Sequence, residues 1–248
     1  MTQEQLETLT KECVDTALEE MWKALPDYVE GNGNTICVAD GSGSMMTRVG
    51  NTDISCLDVA NALAIYFAER CQGAFQNQYI TFSEHPQLVE LSKASNLREK
   101  LEIAKNYNEV ANTNIEAVFE LILQTAVREK LSQKEMPKNI LILSDMEFDG
   151  CAVGNNRTKL TQELFTVIAQ RYASYGYQLP RLVFWNICSR TGTIPVKENA
   201  FGVALVSGFS PAIMKMVLSE STNPWDCLLE QLNAKRYDAV EEALRLCV

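Results

Sequence analysis

Two short, continuous apolar runs that lead into aspartates constrain this chain most strongly. Residues 36–39 (ICVA) lead directly into Asp40, and residues 140–143 (ILIL) lead through Ser144 into Asp145. A strand that is covered on both faces is apolar at every position, whereas a half-exposed strand alternates with polar residues. The two runs therefore predict buried strands of a parallel sheet, with a carboxylate at the carboxyl end of each.

Helical patterns alternate with strand patterns along the rest of the chain. Apolar residues spaced three and four apart predict helices, and short β-branched or aromatic runs predict strands. The predicted strands are residues 36–39, 79–82, 88–91, 140–143, 182–187 and 202–206. The predicted helices are residues 4–24, 55–70, 97–105, 115–126 and 160–173, and two more that begin near Pro211 and Pro224. This alternation predicts an α/β fold built from parallel βαβ units, with residues 88–91 as a short strand near an edge.

The composition excludes several classes of protein. With 248 residues and 46% hydrophobic side chains, the chain can bury a full core. The net charge of −10 argues against a surface for nucleic-acid phosphates, because such a surface needs clustered Lys and Arg. No apolar run approaches the roughly 20 residues that span a bilayer. The eight cysteines are widely spaced and follow no secretory signal, so we expect reduced, structural thiols in a cytoplasmic protein.

The residue types available point to a metal site made of oxygen ligands. The chain has one histidine, His85, whereas zinc sites and His-based triads need more imidazole or clustered cysteine. Residues 40–44 (DGSGS) offer a carboxylate and two hydroxyls in a loop that its glycines allow to fold sharply. Parallel neighbouring strands would bring Asp145 beside Asp40, and two close carboxylates need a cation between them. The predicted ligands of Mg²⁺, or of Mn²⁺ or Ca²⁺, are Asp40, Ser42, Ser44, Thr113 and Asp145.

These motifs resemble the metal-ion-dependent adhesion site of von Willebrand factor A domains. That site has Asp-x-Ser-x-Ser-Met after the first strand, a threonine before a middle helix and an aspartate after the fourth strand. Residues 35–225 are also similar to the C-terminal A-type domain of an uncharacterised family related to the Ro ribonucleoprotein. The similarity lies in residues 80–83 (ITFS), 112–115 (NTNI), 144–149 (SDMEFD), 183–186 (VFWN) and 203–211 (VALVSGFSP).

The resemblance implies both a fold and a function. The fold is a Rossmann-like, mainly parallel sheet of six strands in the order 3-2-1-4-5-6, with helices on both faces and the metal above the first and fourth strands. We expect an N-terminal amphipathic helix in residues 1–30 and the A-type domain in residues 31–248. The implied function is binding rather than catalysis: the metal takes an Asp or Glu carboxylate from a protein partner.

Alternatives to this function and to these ligand roles remain open. The same Mg²⁺ would serve a phosphohydrolase-type enzyme if Glu147 or Asp149 acted as a base. The Ro-like resemblance suggests an RNA-associated module, although the net charge of −10 counts against direct contact with nucleic acid. No membrane contact is expected. Asp40 and Asp145 are also compatible with simple turn-capping roles, and residues 113–116 (TNIE) form a capping-box pattern.

Overall fold

The strands that carry the two aspartates lie at the centre of a six-stranded sheet. The strands are β1 (Thr35–Asp40), β2 (Gln78–Phe82), β3 (Leu88–Glu90), β4 (Asn139–Ser144), β5 (Arg181–Asn186) and β6 (Ala204–Ser207). Their order is β3-β2-β1-β4-β5-β6, which confirms the expected arrangement. The computed structural model describes residues 16–29, 34–107, 114–145, 162–188 and 204–208, and the single positions 225, 229, 232, 233, 237 and 238.

Only the short edge strand departs from parallel pairing. β3 has three residues and runs antiparallel to β2, whereas the other neighbouring strands are all parallel. β1 and β4 pair from Thr35 opposite Asn139 to Ala39 opposite Leu143, and both strands are buried at every position. The two continuous apolar runs are therefore central strands, as predicted.

Helices cover both faces of the sheet. They are α1 (Thr16–Lys23), α2 (Cys56–Arg70), α3 (Leu97–Asn106), α4 (Ile115–Glu129) and α5 (Gln162–Ser174). Successive strand residues point to opposite faces, so β1 and β4 each contribute to two apolar layers. Cys37 and Leu141 belong to the layer that contains α2 residues, and Val38 and Ile142 belong to the layer that contains α4 and α5 residues.

Side-chain caps start the two helices that flank the carboxyl ends of β1 and β2. Ser55 Oγ accepts from the backbone N–H of Asp58 at 3.1 Å, and Asp58 Oδ2 accepts from the backbone N–H of Ser55 at 2.9 Å. This is the predicted capping box of α2. At α4, Asn114 Oδ1 accepts from the backbone N–H of Ala117 at 3.0 Å. Asn114 is the N-cap, so the capping-box role considered for Thr113 is wrong.

The segment that contains α1 is attached to α2 by a cluster around Tyr66. The Tyr66 hydroxyl donates to the carbonyl oxygen of Pro26 at 2.6 Å and accepts from the backbone N–H of Tyr28 at 3.0 Å. The Trp22 indole N–H donates to Glu69 at 2.9 Å, and the Arg70 guanidinium lies 3.7 Å from the centre of the Tyr66 ring. Polar contacts and apolar packing therefore both hold this segment against α2.

Parts of the predicted helices fall outside the described residues. Of the helix expected over residues 4–24, residues 16–23 are described and are helical. The helices expected after Pro211 and Pro224 lie outside the described ranges except at single positions. Within the described part of the chain, no helix is long and apolar enough to cross a membrane.

Replacing Tyr66 with Phe is expected to destabilise the fold. Phe keeps the ring contacts but removes the hydrogen bonds to the partly buried N–H of Tyr28 and to the carbonyl of Pro26, so the free energy of unfolding should fall by about 1–2 kcal/mol. Urea denaturation followed by circular dichroism measures the change. Tyr175→Phe is the matched control, because Tyr175 is 58% exposed and its variant should stay within about 0.5 kcal/mol of the parent. Equal stability of the two variants would contradict the role assigned to Tyr66.

Candidate metal centre

The pairing of β1 with β4 brings two carboxylates to one edge of the sheet. Asp40 is the last residue of β1, and Asp145 follows the last residue of β4. Both side chains are buried, with 2% of Asp40 and 1% of Asp145 exposed. Ser144 directly precedes Asp145, and its hydroxyl donates to Asp40 Oδ2 at 2.6 Å. The structure thus collects Asp40, Ser144 and Asp145 in one buried group.

The charge of Asp40 is poorly compensated by the protein alone. Burial raises the pKa of Asp40, and the nearby charge of Asp145 adds to the rise. Hydrogen bonds from Ser144 and from Ser42 oppose that rise but do not cancel it. Two buried carboxylates at one point are stable together when a cation lies between them or when one of them is protonated.

Two serine hydroxyls converge in the loop that follows Asp40. The backbone N–H of Ser42 donates to Asp40 Oδ1 at 2.9 Å, which folds the loop back over the strand. A 3₁₀ turn at Gly43–Met46 follows, and the fully buried Met45 fixes it to the core. Ser42 Oγ and Ser44 Oγ are hydrogen-bonded to each other at 3.0 Å, and both residues are half-buried. Two oxygen ligands of Mg²⁺ at right angles lie about 3.0 Å apart, so this spacing fits adjacent coordination positions.

The structure describes four of the five predicted ligands. Thr113 lies outside the described residues, as do Glu147 and Asp149, the candidate bases of the enzyme alternative. Within the described ranges, no group of three or more His, Cys, Asp or Glu side chains is placed to hold a metal ion. A metal at this edge would therefore need hydroxyl and water ligands in addition to the two carboxylates.

Three polar residues at the same edge were missed as parts of the site. Ser144 holds Asp40, as described above, and Ser83 and Asn186 lie at the carboxyl ends of β2 and β5. Ser83 Oγ and Asn186 Oδ1 are buried and have no hydrogen-bond partner in the described structure. The carbonyl oxygen of Ser83 accepts from the backbone N–H of Asn114, which ties β2 to the start of α4. A polar residue at the end of a predicted strand, or directly after it, was the available signal.

Two thiols adjoin the carboxylates from the α2 side. Cys56, the first residue of α2, is in hydrogen-bonding contact with Cys188, which follows β5. Burial, the Cys188 thiol and the charge of Asp145 together raise the pKa of Cys56 to about 11. The Cys56 thiol is thus protonated at neutral pH and acts as a small apolar residue. The described cysteines Cys37, Cys56, Cys71 and Cys188 are all free.

Comparison with known proteins identifies the family of the chain. Residues 34–242 match the family model described as a domain of unknown function, DUF7788. The chain belongs to the DUF7788 family. Uncharacterized protein L728 of Acanthamoeba polyphaga mimivirus is 32% identical to it over 223 residues, which is 88% of this chain. The chain spans 37% of the length of that viral relative.

The comparison with solved structures bears on the fold of the DUF7788 domain. The Ro (RSR) protein of Deinococcus radiodurans aligns with a TM-score of 0.53 at 18% identity, over 80% of this chain and 35% of that one. Proximal thread matrix protein 1 from the mussel byssus aligns with a TM-score of 0.46 at 11% identity, over 75% of this chain and 47% of that one. The likeness to the Ro protein and the strand order show a Rossmann-like α/β fold, consistent with that of von Willebrand factor A domains.

Asp40→Asn is expected to stabilise the metal-free domain. The pKa of Asp40 is raised in the folded state, so ionisation of this carboxyl group opposes folding at every pH above its folded pKa. Asn keeps the shape and removes one of two buried like charges. In EDTA at pH 7, the unfolding temperature should rise by the few degrees that correspond to about 1–2 kcal/mol. The gain should shrink as the pH falls toward about 4, where an unfolded Asp also becomes protonated.

Differential scanning calorimetry in EDTA at several pH values measures this effect. Asp53→Asn is the control, because the Asp53 side chain is 94% exposed and lies in the same loop region. A lower unfolding temperature for Asp40→Asn at pH 7 would show that the Asp40 carboxylate stabilises the metal-free fold.

Proposed function

We propose that the DUF7788 domain is a metal-dependent protein-interaction module. Its ligands for a divalent cation, Mg²⁺ in the first instance, are Asp40, Ser42, Ser44, Thr113 and Asp145. The bound cation supplies an open coordination position that accepts an Asp or Glu carboxylate of a protein partner. The observation that carries this proposal is the 3.0 Å spacing of the Ser42 and Ser44 hydroxyls, directly after one of two buried carboxylates.

The balance of charges favours a carboxylate as the group that is bound. The proposed ligand set contains two carboxylates and three neutral hydroxyls, so a divalent cation brings the site to zero net charge. Neutral ligands leave the cation electrophilic, and an anionic oxygen is the strongest additional ligand for a hard cation. Ser42 and Ser44 are half-buried rather than enclosed, which leaves this side of the site accessible to a partner.

The residues around the carboxylates favour binding over catalysis. The one histidine, His85, is exposed in the loop between β2 and β3. The nearest described thiol is Cys56, which is protonated at neutral pH because its pKa is raised to about 11. The described edge of the sheet thus offers no ready base or nucleophile beside the carboxylates. An RNA-associated role is supported only by the fold, and the net charge of −10 counts against direct contact with phosphates.

Removing either carboxylate should abolish metal binding while the fold survives. Asp40→Ala and Asp145→Ala each delete one of the two charges that the cation needs, so Mg²⁺ and Mn²⁺ should no longer raise the unfolding temperature. Thermal unfolding with and without metal measures this, because a ligand that binds only the native state raises the unfolding temperature, and a tighter ligand raises it more. Asp53→Ala, an exposed acidic control in the same loop region, should respond to metal like the parent.

Anomalous diffraction from a crystal soaked in Mn²⁺ locates the metal directly. A peak among Asp40, Ser42, Ser44, Thr113 and Asp145 is the expected result. Full metal affinity in Asp40→Ala, or a peak elsewhere on the domain, would overturn the assignment of these ligands.

A further inference from the structure

One buried hydroxyl group at the carboxyl edge of the sheet has no hydrogen-bond partner in the described part of the chain. Ser83 is 1% exposed, and its Oγ is among the buried side-chain atoms that make no hydrogen bond. Nearly all buried polar side-chain atoms of folded proteins bond to the protein, to an ordered water or to a ligand. Because an unpaired buried hydroxyl lowers stability, its presence points to a partner that binds at this place.

The register of the sheet places Ser83 beside the loop of proposed ligands. Phe82, the last residue of β2, is the register partner of Asp40, the last residue of β1. Ser83 and Gly41 therefore leave neighbouring parallel strands at the same level, and such strands lie about 4.8 Å apart. Gly41 is followed directly by the proposed ligand Ser42. Ser83 thus adjoins the start of the ligand loop.

A backbone hydrogen bond joins Ser83 to the segment that carries another proposed ligand. The carbonyl oxygen of Ser83 accepts from the backbone N–H of Asn114 at 3.3 Å. Asn114 directly follows Thr113 in the sequence, and Thr113 is a ligand under the proposed function. Ser83 therefore adjoins both segments from which hydroxyl ligands are proposed, the loop after β1 and the start of α4.

The coordination number of the proposed centre indicates what the hydroxyl would bind. Mg²⁺ takes six oxygen ligands in an octahedron and readily keeps water among them. The proposed function uses five side chains and leaves one position open, so a sixth side chain on the metal would close that position. Groups around a metal centre commonly act through its ligands instead, by hydrogen bonds that fix their orientation. A metal-bound water has hydrogens to donate, and a serine hydroxyl has lone pairs that accept.

We propose that Ser83 is a positioning residue of the metal centre, whose hydroxyl accepts a hydrogen bond from the water molecule in the open coordination position. The inference rests on the proposed function, which supplies the cation and that position. A serine hydroxyl also donates, so Ser83 can hold a carboxylate oxygen of the partner once the water has left. A group that only accepts or only donates could not serve both states.

Ser83→Ala should weaken metal binding without weakening the metal-free fold. Loss of a hydrogen bond to a metal ligand lowers metal affinity by roughly tenfold or more, so the dissociation constant for Mn²⁺ should rise about tenfold. The unfolding temperature in EDTA should equal that of the parent or exceed it, because the variant removes a hydroxyl that is unpaired in the metal-free domain. Isothermal titration calorimetry with MnCl₂ and thermal unfolding in EDTA, both on the full chain, measure these quantities.

Thr125→Val is the matched control. Thr125 Oγ1 is also buried and without a hydrogen-bond partner, but it lies in the interior of α4, ten residues or about 15 Å beyond Ile115 at the start of that helix. Val has nearly the same shape as Thr, so this variant also removes one unpaired hydroxyl. It should behave like Ser83→Ala in EDTA and should keep the parent's affinity for Mn²⁺.

The outcomes separate the role of Ser83 from the proposed function. Unchanged Mn²⁺ affinity in Ser83→Ala, with binding lost in Asp40→Ala, would overturn the role of Ser83 and leave the metal-dependent function intact. Failure of Mn²⁺ to bind the parent chain would overturn the proposed function and the role of Ser83 with it. A clear drop of the unfolding temperature of Ser83→Ala in EDTA would show a structural role instead. Equal weakening of Mn²⁺ binding by Thr125→Val would show a general effect of a lost hydroxyl and would also overturn the proposal.

Discussion

The parallel pairing of β1 with β4 is the constraint on which the rest of the site depends. These strands are buried at every position, so neither can shift by one residue without turning a charged side chain into the apolar core. With Ala39 opposite Leu143, both chains leave the sheet at the same level. Asp40 and Asp145 therefore meet at one edge because the core fixes the register, and the loops add the remaining oxygen atoms.

The two buried carboxylates lower the stability of the metal-free domain, although the proposed metal site needs them. A core that buries two like charges is less stable than one with apolar or amide groups at those positions. Ser144 and the backbone N–H of Ser42 each hold one oxygen of Asp40, so the carboxylate is oriented even though its ionisation is disfavoured. This orientation supports the proposed cation site, because a ligand that needs no reorganisation on binding gains affinity.

The sequence determined most of the fold and part of the candidate site. Continuous apolar runs identified β1 and β4, and the spacing of Ser55 and Asp58 identified the start of α2, because both signals depend on local interactions. The strand order came from the family resemblance, since no local pattern encodes which strands are neighbours. Thr113 and Asn114 are both acceptable caps, and only the geometry of α4 decides between them.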